Sequence, residues 1–158
     1  MELVEYAAVY EEDVKDLLIE LQAHIAALDR EGYNILTDAY RESYFQKMTR
    51  EVTENRGRII LARDSGKTVG FVAGLIDEEE NSCCFSAPQS GRIIELIVTQ
   101  DCRARGIGKV LLCAMEEYLR GAGCGRVLLG VFEYNEDAKR FYQKNGYSNR
   151  MTDMMKPL

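Results

Sequence analysis

A single α/β domain spanning residues 1–158, with four helices and a set of strands that includes an antiparallel hairpin, is the fold this sequence predicts. Three observations lead there. Apolar stripes of helical period alternate with short strand-like runs. The connection Asp64-Ser65-Gly66 joins two such runs as an antiparallel hairpin. No repeat, low-complexity tract or proline-rich linker divides the chain, which contains only two prolines. A domain of this length buries roughly 70% of its unfolded surface and needs no metal or disulfide to fold.

Taken in order, residues 2 to 8 read as a first strand. Val14, Leu17, Leu18, Leu21, Ile25 and Leu28 then mark an amphipathic helix that ends before Gly32. From Ala39 to Val52 a second helix carries Tyr40, Tyr44, Phe45 and Met48 on one face, and Asn55-Arg56-Gly57 stops it. Arg58 to Arg63 and Lys67 to Ile76 form the hairpin, followed by an acidic polar loop from Asp77 to Ser90. Arg92 to Thr99 is the next strand. Ile107, Val110, Leu111, Ala114, Met115 and Tyr118 give a third helix, closed by Gly121 and Gly123. Arg126 to Phe132 is a strand, Asn135 to Asn145 a helix, and the residues around Thr152 to Met155 a last edge strand. The predicted order is β-α-α-β-β-β-α-β-α-β.

Composition narrows the function classes. Hydrophobic residues make up 46% and charged residues 29%, ordinary globular values, and no apolar run approaches the ~18 residues that cross a bilayer. The acidic start Met1-Glu2-Leu3-Val4-Glu5 lacks the basic, then apolar, pattern of a secretory leader, so the expected location is cytoplasmic, with no membrane partner. Five cysteines without a C-x-x-C pair and a single histidine, His24, predict neither a zinc site nor a disulfide framework. The net charge of −6 argues against a nucleic-acid partner and suits simple solubility or a cationic substrate.

Two segments carry chemistry. In Arg103-Ala104-Arg105-Gly106-Ile107-Gly108, glycines remove side chains where a strand passes into a helix, exposing the unpaired N–H groups of the first turn. With Arg103, Arg105 and Lys109 beside it, this turn suits a diphosphate. A plain tight turn before a core helix is the alternative. Upstream, the main chain of Leu96, Ile97 and Val98 can pair with an extended amide-bearing ligand such as pantetheine, while the side chains pack in the core. In the second segment, Asn135 to Tyr147, Asn135 caps a helix whose apolar face carries Ala138, Phe141 and Tyr142, and Gly146 ends it. The phenol of Tyr142 either packs or serves chemistry.

Together these segments, L-x-V-x(4)-R-x-x-G-x-G and N-x-x-A-x-x-F-Y-x-K-x-G-Y over Leu96 to Tyr147, resemble the GNAT superfamily of N-acetyltransferases. The resemblance implies a mixed, mostly antiparallel sheet of six to seven strands flanked by four helices and splayed between its fourth and fifth strands, with acetyl-CoA as co-substrate in the gap and no metal. It implies that Leu96, Ile97 and Val98 pair with pantetheine and that Arg103, Ala104, Arg105, Gly106, Ile107, Gly108 and Lys109 surround the pyrophosphate. Asn135 and Ala138 would line the cofactor cleft, and Tyr142 would protonate the departing thiolate. Ala104 stands where the family often has glycine, and Gln100 where it often has proline.

An acetyl acceptor of lysine-like pKa is neutral in roughly one molecule per thousand at pH 7, so a base must take its proton. Glu95 is the candidate, since alternation turns it away from Leu96 and Val98; Glu133 is the runner-up. A backbone N–H on the splayed strand would stabilise the oxyanion. The expected acceptor is a primary amine: a small molecule, a polyamine, an antibiotic, or a peptide or protein amine. His24, on the helix where the family often builds its acceptor site, and the acidic residues Asp77, Glu78, Glu79 and Glu80 are further candidates for substrate contact. An acetyl-cysteine route through Cys83, Cys84, Cys102, Cys113 or Cys124 lacks a paired base. The alternatives to direct transfer in a ternary complex are a non-catalytic acyl-CoA sensor and a nucleotide-binding regulator. The last strand would either close the sheet or pair across a homodimer.

Overall fold

The structure is a computed structural model in which residues 1–77 and 86–156 are described. Five strands, β1 (Glu2–Glu5), β2 (Arg58–Asp64), β3 (Lys67–Asp77), β4 (Ser90–Val98) and β5 (Arg126–Leu129), form one sheet in that order. Pairings β1 to β4 are antiparallel, and β5 joins β4 in parallel. The helices are α1 (Glu11–Leu28), α2 (Tyr40–Glu54), α3 (Ile107–Gly121) and α4 (Glu136–Lys144). Among the described residues, no helix is long and apolar enough to cross a membrane.

Two cores cover the two faces. Val14, Leu17 and Leu18 of α1 and Phe45, Met48 and Val52 of α2 pack on Leu61, Phe71 and Ile97. On the other face Leu111, Leu112, Met115 and Leu119 of α3 pack on Val72, Ile76 and Ile93. Central β3 is therefore buried from Val69 to Ile76 and reads as an apolar run, without alternation. Lys15, almost fully buried, joins α1 to α2 through Glu11 and Glu42, both at 2.6 Å.

The predicted sheet of six to seven strands is corrected to five among the described residues. The expected strand around Thr152 to Met155 does not form: the chain there is irregular, and Met151, Met154 and Met155 are 79%, 94% and 60% exposed. Without a covered face these methionines give no burial to offset the entropy of ordering a strand. Strand β5 is also shorter than expected, ending at Leu129, so Phe132 and Glu133 lie in a loop. Glu78, Glu79, Glu80, Cys83 and Cys84 lie outside the described residues.

Two irregularities in β4 shape the site. Its pairing with β5 stops at Ile93↔Leu129, whereas β4 runs on to Val98, so the two strands part from residue 94 onward. The splay falls between the fourth and fifth strands. Opposite β3 the register shifts from Ala73↔Glu95 to Gly74↔Ile93, leaving Ile94 as a bulge. A bulge sets two successive side chains on one face. Ile93 and Leu96 thus pack toward α3, whereas Ile94 packs against the α1/α2 core and Glu95 turns to α2.

Candidate active site

The gap between β4 and β5 holds two joined clefts. The first, of ≈ 460 Å³, runs from Leu96 and Val98 past Gly106 and Lys109 to Phe141 and Tyr142. The second, of ≈ 190 Å³, lies between α1, α2 and the residues after β5, with Glu95 on its floor. Leu21, Leu96, Asn135, Ala138 and Tyr142 border both.

In the larger cleft, main-chain groups of β4 are available. The Thr99 N–H donates to the Val69 carbonyl at 2.9 Å, which fixes the phase of the antiparallel ladder. Residues 95, 97 and 99 bond to β3, so the N–H and C=O groups of Leu96 and Val98 face the gap. The Val98 carbonyl already accepts from Arg103 Nε at 3.0 Å. Ile97 bonds toward β3 and its side chain is buried under α1.

At the start of α3, Gly106 takes φ 81° with no side-chain cap, and the first four N–H groups of a helix have no intrahelical partner. They point, with the positive end of the helix, into the cleft. Ala104 also adopts a left-handed φ, of 60°, where a glycine would be unstrained. Arg103 lies 3.5 Å from Glu20 and Arg105 3.1 Å from Asp64, whereas Lys109 makes no ion pair among the described residues. Such exposed pairs contribute only about 0–1 kcal/mol; Arg103 and Lys109 line the cleft, whereas Arg105, turned to Asp64, is not among its lining residues. Gly106→Ala is expected to cost roughly 1–2 kcal/mol through left-handed strain and to weaken CoA binding, read by thermal melting and calorimetry. Unchanged melting and affinity would show that the turn does not need its glycine.

Helix α4 begins with the Asn135 Oδ1 accepting from the Ala138 N–H at 3.1 Å, which leaves the Asn135 amide donors toward the cleft. The ring of Tyr142 is held edge-on by Phe141 at 5.1 Å and Tyr147 at 5.5 Å. Its hydroxyl has no hydrogen-bond partner among the described residues, and the residue lines both clefts. Burial, with the nearby charge of Glu95, pushes its pKa up to about 12, so it stays protonated at neutral pH.

Glu95 is half-buried and lines the smaller cleft. Burial pushes its pKa up to about 7; the hydrogen bond donated by the Tyr44 hydroxyl opposes that rise, and the charge of Glu51 adds to it. Tyr44 stacks on Tyr40 at 4.9 Å, and burial and Glu95 together raise both phenols, which stay neutral. Glu133 instead is exposed and paired with Lys139 at 3.1 Å, outside the residues that line either cleft. His24 lines the larger cleft. Cys102 also borders it, while Cys113 is exposed on α3 and Cys124 half-buried.

The contribution of α2 was missed at the level of sequence. Tyr40 and Tyr44 were legible as part of that helix's inner face, and phenols on a buried face, which need polar partners, were the available signal. Nothing in the sequence paired Tyr44 with Glu95, 51 residues away.

Comparison with known proteins agrees with this geometry. An uncharacterized N-acetyltransferase of Methanocaldococcus jannaschii is 35% identical over 91 residues, covering 57% of this chain and 52% of that protein. The chain thus matches about half the length of that relative. A variant of the BH1408 protein from Bacillus halodurans has the same fold, with TM-score 0.83 at 20% identity over 100% of this chain and 99% of that one. So has the aminoglycoside N-acetyltransferase AAC(6')-Iy in complex with CoA, with TM-score 0.70 at 15% identity over 99% of this chain and 100% of that one. The model of the acetyltransferase (GNAT) family matches residues 28–147. With the fold, the splayed strands and both motifs in agreement, this chain belongs to the acetyltransferase (GNAT) family.

Proposed function

We propose that the protein is an acetyl-CoA-dependent N-acetyltransferase that moves an acetyl group directly to a primary amine while both substrates are bound. The observation that carries this reading is the placement of Tyr142 and Glu95: a protonated phenol at the junction of the two clefts and a carboxylate on the floor of the second. The larger cleft suits CoA, as a solved relative in complex with CoA supports. It offers the unpaired N–H groups of α3 with Arg103 and Lys109 to a diphosphate, and the outward main-chain groups of Leu96 with the Val98 N–H to an extended amide.

When bound, acetyl-CoA supplies the activated acyl group. Glu95 accepts a proton from the amine, directly or through water, as the nitrogen forms its bond to the acyl carbon. Tyr142 donates its proton to the sulfur as the C–S bond breaks, so the products are an amide and a free thiol. Glu95 then releases its proton to solvent and Tyr142 is reprotonated, which balances the cycle. A pKa of about 7 poises Glu95 for this task near neutrality.

Thiol release from acetyl-CoA, followed against panels of amines, peptides and antibiotics, tests the proposal. Amine-dependent release, with mass spectrometry showing one acetyl group on the acceptor, is the expected result. Tight acetyl-CoA binding without release across all panels would overturn it in favour of a sensor.

A further inference from the structure

We infer that Tyr44 is a positioning residue for Glu95: its hydroxyl holds one carboxylate oxygen, so that the other is left for the acceptor's proton. The inference deepens the N-acetyltransferase reading and rests on it only for where that proton comes from.

Each partner is placed by its own element. Tyr40 and Tyr44 stand four residues apart on α2, so they share a face, and their rings stack at 4.9 Å with 11° between the planes. Phe45, Met48 and Val52 bury the inner side of the same helix, and Lys15 of α1 ties its start through Glu42 at 2.6 Å. A ring stacked on so anchored a helix keeps little rotamer freedom. On the facing strand, the register shift beside Ile94 turns Glu95 to α2. The Tyr44 hydroxyl then donates to Oε1 of Glu95, while Oε2 has no partner among the described residues. A hydrogen bond to a carboxylate is roughly twice as strong as one between neutral groups, so it holds the carboxyl in one orientation.

The same bond bears on when Glu95 ionises. Burial favours the neutral acid, whereas a donated hydrogen bond favours the carboxylate, and the two act in opposition here. Among the described residues Tyr44 is the only side chain that donates to this carboxyl. The other charged and titratable neighbours do not replace it. On α2, the like charge of Glu51 pushes the acid further up, and Lys47 lies 6.0 Å from the centre of the Tyr44 ring. Tyr40 of α2 and Tyr142 of α4 feel the charge of Glu95, yet neither hydroxyl bonds to it. Arg92, on β4 itself, is held by Asp77. From α1 the cleft receives Leu21, Gln22 and Ile25, and the segment after β5 adds no titratable group to its lining. Loss of the Tyr44 hydroxyl therefore leaves burial unopposed, and Glu95 ionises at higher pH. In transfer, the acceptor nitrogen bonds to the acyl carbon, its proton passes to the free oxygen of Glu95, and the sulfur leaves with the proton of Tyr142.

Tyr44→Phe, which keeps the ring and its stack, tests the assignment in two ways. Titration of the Glu95 carboxyl, followed by carboxyl-carbon NMR on the full chain without acetyl-CoA, is expected to move upward by about one pH unit. The rise of kcat/KM for the acceptor should move with it, so that the ratio of unaltered protein to variant is about tenfold at pH 6 and within about twofold at pH 9. A ratio constant with pH, or a Glu95 titration left in place, would overturn the inference and make Tyr44 a packing residue. Tyr40→Phe supplies the comparison. It also keeps the stack but removes a hydroxyl that makes no hydrogen bond among the described residues, and should leave the Glu95 titration where it is. An equal upward movement in Tyr40→Phe would defeat the hydrogen bond as the cause. An upward Glu95 titration in Tyr44→Phe, in a protein that releases no thiol with any amine, would sink the transferase reading while leaving the hold of Tyr44 on Glu95 intact.

Discussion

Tyr142→Phe is expected to lower the rate of acetyl transfer by about 10²–10³-fold while leaving acetyl-CoA affinity within about twofold. The separation of the two effects follows from the surroundings of the ring. Phe141 and Tyr147 hold it by edge contacts at 5.1 and 5.5 Å, and a phenylalanine keeps both. The hydroxyl donates to no described residue, so its removal leaves no protein acceptor unpaired. What disappears is the proton that the sulfur would receive. Single-turnover thiol release with an acceptor bound, compared with calorimetric titration of acetyl-CoA, reads the two quantities separately. A variant that transfers acetyl at the original rate would take Tyr142 out of the chemistry and leave it a packing residue.

How far the sequence discloses this site depends on how local each part of it is. The turn from Arg103 to Gly108 and the capped helix from Asn135 are short-range structures, and their glycine, asparagine and apolar positions fall where the spacing places them. The parting of β4 from β5 is not local. It arises because β5 ends at Leu129 while β4 continues, and only the family resemblance implied it. The orientation of Glu95 was legible by halves. Simple alternation separates it from Leu96 and Val98, but the bulge at Ile94 is what turns it to α2 when Ile93 already faces α3. A one-residue bulge has no pattern that distinguishes Ile93-Ile94 from any other apolar pair. The arginines show the reverse limit: their identity was plain, yet their pairing with Glu20 and Asp64, from distant parts of the chain, was not. The absent last strand shows that strand-like composition without a face to cover does not make a strand.

Glu95→Gln should have the larger kinetic effect, a loss of about 10²–10⁴-fold in kcat/KM near neutral pH, because a neutral amide cannot take the acceptor's proton. It should also change the pH profile. In the unaltered protein kcat/KM is expected to rise as pH passes about 7, where Glu95 becomes the carboxylate, and to keep rising as the free amine becomes neutral. The variant keeps only the second limb. Stability should move the opposite way. The folded-state pKa of Glu95 lies above its unfolded value, so the folded protein binds this proton more tightly; that stabilisation is full below about pH 4 and is lost as pH rises through about 7. Above pH 7 the half-buried carboxylate is a burden on the order of 2 kcal/mol after screening on its open side. The glutamine side chain in Glu95→Gln keeps an acceptor for the Tyr44 hydroxyl without the charge. The variant should therefore melt higher at pH 8, by about 2–4 °C for each kcal/mol relieved, and show no advantage at pH 4. A variant both inactive and less stable at pH 8 would mean that Glu95 holds the fold and not the proton. Higher stability joined to lost transfer is the signature of a carboxylate kept in an apolar cleft for its chemistry, at the expense of the fold.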